Sequence, residues 1–330
     1  MVVGTRLEAC LASEGAGGDR AVASVLTALA LAAAETSTLL RNGGHDSGPG
    51  PNGLEGAVRS RFTAALRDAP TALLALREAE HDEVLDPAAS LAVALSPLDG
   101  ADNLAGNLPA GTIFSLRPAG DGAPFRQPGR SQVAAGFVTY GPRTDLALTW
   151  GRGVRIFTLD PASGAFHLTR DAVTIPPTSP LYAVDAANAR FWEAPVRAFV
   201  DDCLRGSEGP RGQDFAMGWS TSLAAGAHHI LARGGVQLMP GETRRGCANG
   251  QTRLVHEAAA IALVMEAAGG AATDGRDGPI LDLKALDLHQ RTPFVFGSAE
   301  EVACVGKYHD GRRHTGARSP LFGQRGLLRA

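Results

Sequence analysis

The stretch Leu91–Asn103, LAVALSPLDGADN, constrains the fold of this chain more than any other. The apolar run Leu91–Leu95 ends abruptly at Ser-Pro-Leu-Asp-Gly, which reads as a buried strand that carries Asp99 to the edge of a sheet. The flanking segments extend that sheet. Thr71–Leu76 is apolar, while Gly111–Arg117 and Gln132–Tyr140 alternate as strands do. Leu146–Thr149 and Arg155–Leu159 continue it, and Leu159–Gly164 (LDPASG) turns. Upstream, Val22–Leu40 and Leu54–Leu66 have apolar residues at helical spacing, separated by the loop Arg41–Gly53 (RNGGHDSGPGPNG).

Two proline-rich turns at Ile175–Leu181 (IPPTSPL) mark a boundary. Beyond it the spacing predicts helices over Pro195–Cys203, Ser222–Ala232 and Thr252–Gly269, and a strand over Gly235–Leu238. The division is therefore an N-terminal domain, 1–175, a second domain, 176–306, and a basic tail, 307–330, without periodicity. The tail is expected to be a flexible extension, with a partner-binding arm as the alternative reading. No internal repeat is visible. The mixture of helices and strands places the chain in the α/β class.

The totals exclude several functions. Thirty-one Lys and Arg oppose 34 Asp and Glu, and a net charge of −3 leaves no electrostatic case for nucleic acid. Ala21–Leu40 comes nearest to the roughly 20 apolar residues of a membrane span. It contains Thr27, Glu35, Thr36, Ser37 and Thr38, so a soluble helix is expected and no membrane partner. The N-terminus lacks a secretory layout. The 4 cysteines form no CxxC pair and read as buried thiols of a reducing cytoplasm.

Asp99 followed by Gly100 can hold Mg²⁺ and leave room for a phosphate, and Ala101-Asp102-Asn103 would open a helix whose N–H groups favour a phosphate oxygen. The plainer reading is a turn whose Asp caps a helix. Glu257 follows a short strand at Arg253-Leu254-Val255 and would open a helix. It is a second ligand candidate or, more plainly, a cap favoured by the helix dipole. The acidic run Glu78–Glu83 could supply a third carboxylate or be a solvated face.

The segments LDPAASLAVALSPLDGADN, GTIFSL, QPGRSQVAAGFVTYGPRTDLALTWGRGVRIFTLDPASGAFHLT, DDCLRGSEGPRGQDF, ILARGGVQLMPGETR, VMEAAGGAATDG and LDLHQRTPFVFGS run in an order that resembles class 1 fructose-1,6-bisphosphatases, particularly those of proteobacterial Calvin-cycle operons. The looser similarity extends from about Asp19 to His309. The resemblance implies a sugar-phosphatase fold with alternating layers of helices and sheets, and a cytoplasmic homotetramer with sites near subunit interfaces. It also implies Mg²⁺-dependent removal of the 1-phosphate of fructose 1,6-bisphosphate, with Mn²⁺ able to replace Mg²⁺. The metal set it implies is Glu78, Asp99, the Leu98 carbonyl and Glu257, with Asp99 and Glu78 catalytic and Asp102, Arg253 and Gly100 meeting substrate.

Several positions depart from the family pattern. The motif Asp-Pro-Leu-Asp-Gly-Ser-Ser reads Ser96-Pro97-Leu98-Asp99-Gly100-Ala101-Asp102 here. A pair of glutamates becomes Arg77-Glu78, and an upstream Asp aligns with Glu55. The neighbours of Glu257 are His256, Ala259 and Ala260. On the substrate side a Tyr is Met239, a Lys or Arg is Gln251, an Asn is Asp185, and the Arg that reaches across the interface is Gly218 beside a retained Trp219. Turn glycines such as Gly136 and Gly235 are kept. Two alternatives to the family's activity follow: a folded, catalytically impaired paralogue with a structural or regulatory role, or a phosphatase for another sugar phosphate.

Overall fold

The computed structural model describes residues 1–14, 20–43, 53–120, 122–151, 153–276 and 278–310. The N-terminal helices are α1 (Leu7–Glu14), α2 (Arg20–Arg41) and α3 (Leu54–Arg67). They cover one face of a sheet whose strands are β1 (Thr71–Leu76), β2 (Glu83–Val84), β3 (Leu91–Asp99), β4 (Ala110–Pro118), β5 (Ala134–Tyr140), β6 (Thr144–Trp150), β7 (Arg155–Asp160) and β8 (Ala165–Arg170). Their order is β2-β1-β3-β4-β5-β6-β7-β8. Only β1 and β3 pair in parallel; the other neighbours are antiparallel.

The alternation along β3 shows why both faces are covered. Leu91, Val93 and Leu95 enter the core under α2 and α3, while Ala92 and Ala94 enter the core on the opposite face. An α2 long and apolar enough by length to span a membrane is half buried and places Val25, Leu26, Leu29 and Ala33 in the first of these cores.

Beyond Arg170 come β9 (Leu181–Ala183), α4 (Ala194–Leu204), β10 (Ala216–Met217), α5 (Leu223–Arg233), β11 (Val236–Met239), β12 (Thr252–Arg253), α6 (Ala259–Ala267), β13 (Ala271–Thr273), β14 (Arg291–Thr292), β15 (Phe294–Gly297) and α7 (Ala299–His309). A second sheet has the order β10-β9-β11-β15-β13, and β12 pairs with β14 as a ribbon. Helices α5 and α6 lie between the two sheets, and α4 and α7 cover the outer face of the second. Five layers result, helices alternating with sheets, as the resemblance implies. Within the second sheet the chain entering β11 passes close to the start of β9 at Gly235. There φ is +95° and an added Cβ would sit 2.4 Å from the Leu181 carbonyl oxygen, so only glycine fits.

Several expectations are corrected. The segment Thr252–Gly269 is not one helix. It begins as β12, passes through a π-helical turn over Leu254–Ala258, and becomes α-helical only at Ala259. The start of a helix expected at Ala101–Asn103 is a 3₁₀ segment, Ala101–Gly106. Helix α7 runs through His309 and buries Tyr308, so Lys307–His309 belong to the folded body and not to the tail. Residues 311–330 and the loop residues 44–52 lie outside the described residues. Helix α1, strand β8 and helix α7 carried no sequence expectation. The cysteines are free thiols; Cys10, Cys203 and Cys304 are buried and Cys247 is half-buried.

Candidate active site

Strands β1 and β3 run side by side and end at the same edge of the first sheet, the place where the carboxyl ends of parallel strands offer a ligand crevice. Arg77 follows β1 directly, and its N–H donates to the Leu95 carbonyl at 2.9 Å, so its side chain emerges at that edge. Pairing of β3 with β4 shifts between Ser96 and Asp99, a bulge that re-aims the end of β3. The Pro97 carbonyl accepts from Thr112 Oγ1 at 2.7 Å within it. Gly100 then turns the chain with φ +72°, and an added Cβ would meet Ser222 Cβ at 2.8 Å. A serine or alanine there would be both strained and obstructed.

These residues wall a cleft of about 540 Å³ lined by Glu55, Arg59, Arg77, Glu78, Leu98, Gly100 and Asp102, among others. Glu55 and Arg59 are one helical turn apart on α3, so they share a face. Glu78 is held above the usual carboxylate range, first by partial burial, with the nearby charges of Glu55 and Glu257 adding to it and Arg77 opposing.

Asp99 lies beneath this rim. Its Oδ2 accepts from Ser222 Oγ at 2.7 Å and from the Ala224 N–H at 2.9 Å. The capping role considered from the sequence is therefore present, but the helix capped is α5, far along the chain, and not the segment after Gly100. Enclosure pushes the Asp99 carboxyl up to about 6; the Ala224 N–H pulls it back, and Glu257 adds to the rise.

Glu257 stands in the π-turn, a local widening of the helix that often marks functional positions. Its side chain is buried, and Oε2 accepts from the Arg253 N–H at 2.8 Å. Oε1 lies 2.6 Å from Arg77 Nε. The charges meet without an aligned hydrogen bond, since Nε finds no hydrogen-bonded partner. Arg77 Nη1 is 3.7 Å from Glu78 Oε1, and the charge of Asp99 also acts on Arg77. One guanidinium thus sits against two carboxylates, within the field of a third.

The remaining predicted positions are placed as follows. Asp102 is exposed on the cleft rim. The Arg253 guanidinium contacts His289 Nδ1. His289 in turn stacks on His256, 5.6 Å between ring centres, and its Nε2 is 3.2 Å from the Glu80 carbonyl oxygen. His256 is fully buried with both nitrogens unpartnered; burial pushes it down to about 3, so the ring is neutral. Within the acidic run, Glu80 and His81 are largely exposed and Glu83 pairs with Arg67 on the surface, so only Glu78 enters the cleft. Asp185 caps a 3₁₀ turn, accepting from Ala187 N at 3.1 Å and from Asn188 Nδ2 at 2.8 Å. Gly218 and Trp219 are half-buried near the end of β10. Arg59, Ser222 and His289 were not foreseen. For Arg59 a signal existed, its helical spacing from Glu55; for Ser222 and His289 none did, because their partners are remote in sequence.

Layered sheets and helices, with acidic and arginine side chains gathered where parallel strands end, define the sugar-phosphatase class of α/β enzymes. Two family descriptions cover the chain: "Fructose-1-6-bisphosphatase, N-terminal domain" over residues 59–171 and "Fructose-1-6-bisphosphatase, C-terminal domain" over residues 175–310. The class 1 fructose-1,6-bisphosphatase of Methylobacterium sp. (strain 4-46) is 76% identical over 330 residues, covering 100% of both chains. That of Methylorubrum extorquens (strain PA1) is 48% identical over 323 residues, covering 93% of this chain and 92% of the relative. Leishmania major fructose-1,6-bisphosphatase in the T-state superposes with a TM-score of 0.86 at 27% identity, covering 94% of this chain and 100% of that one. The chain belongs to the class 1 fructose-1,6-bisphosphatase family, and with it to the phosphoric monoester hydrolases.

Metal dependence is a property of that family. Here the donors speak against a divalent ion in the arrangement described. Glu257 already answers Arg77 with one oxygen and the Arg253 N–H with the other. Asp99 Oδ2 is taken by two donors from the start of α5. Ser96, where the family motif has a carboxylate, is fully buried with an unpartnered hydroxyl. Among the described residues, no three His, Cys, Asp or Glu side chains converge as metal ligands do. With Arg77 seated, the set does not fit the ion.

Proposed function

We propose that this chain hydrolyses the 1-phosphate of fructose 1,6-bisphosphate to give fructose 6-phosphate, by in-line attack of water on phosphorus. The observation that carries the reading is the cleft of about 540 Å³ at the end of β1 and β3, whose lining brings Glu78 together with Arg59 and Arg77. Partial burial raises the Glu78 carboxyl above its ordinary value, and from its place in the cleft it takes a proton from the attacking water and returns it to the sugar oxygen released as the phosphorus–oxygen bond breaks. Arg59 and Arg77 neutralise the phosphate being transferred, and Arg253 meets the other end of the substrate. Asp99, fixed by α5, sets the negative potential at the strand end, and Gly100 with Asp102 shapes the rim.

The cation expected from the family is magnesium, with manganese as a substitute, on Glu78, Asp99, the Leu98 carbonyl and Glu257. Those donors do not accommodate it with Arg77 in place, so the chemistry assigned here is that of the chain's own groups. We also propose a cytoplasmic homotetramer and a two-domain division at 175, on the strength of the family relation.

The test is release of inorganic phosphate from fructose 1,6-bisphosphate by purified protein, with Mg²⁺ or Mn²⁺ supplied. Turnover that falls about 100-fold or more in Glu78→Gln supports the reading. Turnover indifferent to Glu78→Gln overturns the site. Absence of turnover, restored by Ser96→Asp with Gly218→Arg and Gln251→Lys, would identify an impaired paralogue instead.

A further inference from the structure

The carboxylates at the ends of β1 and β3 have a cation already. Arg77 emerges at the sheet edge because its backbone prolongs the parallel pairing of β1 with β3. Its Nε lies 2.6 Å from Glu257 Oε1 and its Nη1 3.7 Å from Glu78 Oε1. Glu257 is itself buried, with 7% of its side chain exposed, whereas Arg77 retains 39% and borders the open cleft. A buried carboxylate needs a positive partner, and this one has it from the same chain. A divalent ion brought to the same oxygens would be repelled by the guanidinium at close range and would find one carboxylate fewer, since Ser96 offers only a hydroxyl.

We propose that Arg77 is a resident cation: its guanidinium, seated against Glu257 and Glu78, occupies the place a divalent ion would take, and metal enters only by displacing it. The inference rests on the reading above that Glu78, Asp99 and Glu257 are the family's candidate metal donors and not on the identity of the sugar. It is therefore read by metal binding, which fails or succeeds separately from turnover. Removing Arg77 should improve a binding property, the opposite of what loss of a functional side chain ordinarily does.

The experiment is titration of the full chain, freed of metal with EDTA and dialysed, with MnCl₂ alone, followed by calorimetry and by the electron spin resonance of free Mn²⁺. Arg77→Gln should bind Mn²⁺ about tenfold or more tightly than the wild type, and Arg77→Glu, which adds a ligand, more tightly again. Arg77→Lys, which keeps the charge, should stay within about threefold of wild type. Glu257→Gln in the Arg77→Gln background should abolish the gain. If Arg77→Gln does not fold, the thermal midpoint of Arg77→Glu decides: about 1 mM MnCl₂ should raise it while leaving the wild type unmoved. Wild-type protein that binds Mn²⁺ as tightly as Arg77→Gln and Arg77→Glu, or a thermal midpoint that responds equally in wild type and Arg77→Glu, overturns the proposal.

Discussion

Removing the Ser222 hydroxyl tests how the strand end is held. Ser222 is fully buried and joins two elements. Its Oγ donates to Asp99 Oδ2 at 2.7 Å and accepts from the Ala225 N–H at 3.2 Å, so it caps α5 and ties that helix to β3. Loss of an N-cap costs about 1 kcal/mol. A hydrogen bond to a charged group contributes roughly 1.5–3 kcal/mol, and water cannot replace this one in a buried position. Ser222→Ala should therefore lose about 3 kcal/mol at neutral pH. Urea denaturation in EDTA, followed by tryptophan fluorescence, measures it without any contribution from bound metal. Combined with Asp99→Ala, the double variant should be less destabilised than the sum of the singles by about 1.5–3 kcal/mol, the coupling of the two side chains. A loss below about 0.5 kcal/mol, or strict additivity, would refute the view that the hydroxyl anchors the carboxylate. Phosphate release should drop alongside, because Asp99 then loses one of the two donors that orient it.

Two further outcomes follow from the packing. Gly235→Ala forces a side chain into a left-handed conformation and against the Leu181 carbonyl, and it should cost at least about 2 kcal/mol in the same urea measurement, while Gly246→Ala, with φ +79° but no atom within 4 Å, should cost less. Burial holds His228 below its ordinary 6.5; Asp145, with Nε2 3.5 Å from its Oδ2, opposes this, and Arg143, Arg170 and His229 reinforce it. The unfolded chain then takes up a proton that the fold resists, so this contribution is complete above pH 6.5 and is lost as pH falls below it, with a slope of at most about 1.4 kcal/mol per pH unit. His228→Gln should flatten the fall in urea midpoint between pH 7 and pH 5; an unchanged slope would remove His228 as its cause.

Much of the architecture was legible because periodicity records burial. The strand Thr71–Leu76 and the helices near Val22–Leu40 and Leu54–Leu66 stand within a residue or two of their expected bounds. Helices α1 and α7 were not legible, since each is short and its apolar residues gain meaning only from the strands it covers, β8 for α1 and β13 with β15 for α7. The π-turn at Leu254–Ala258 escaped notice for another reason: its side-chain pattern is that of the helix it leads into, and only the backbone hydrogen bonds differ. In the site, Asp99 and Glu257 could be singled out as acidic residues at element ends, and Glu78 as one of an acidic run that the resemblance aligns with a metal ligand. What each one holds could not. Asp99 is partnered by residues from 222 to 224, and Glu257 by Arg77.

By itself the amino-acid order determined the α/β class, the strand that ends at Asp99, and membership of a phosphatase family, because local burial patterns and motif spacing are written residue by residue. Only the tertiary structure decided that Arg77, a change that reads as one lost carboxylate, sits as a positive charge among those that remain. The physical reason is that electrostatic partnership depends on distances of a few ångströms between residues as far apart in the chain as 77 and 257, and those distances exist only once the sheets and helices have packed.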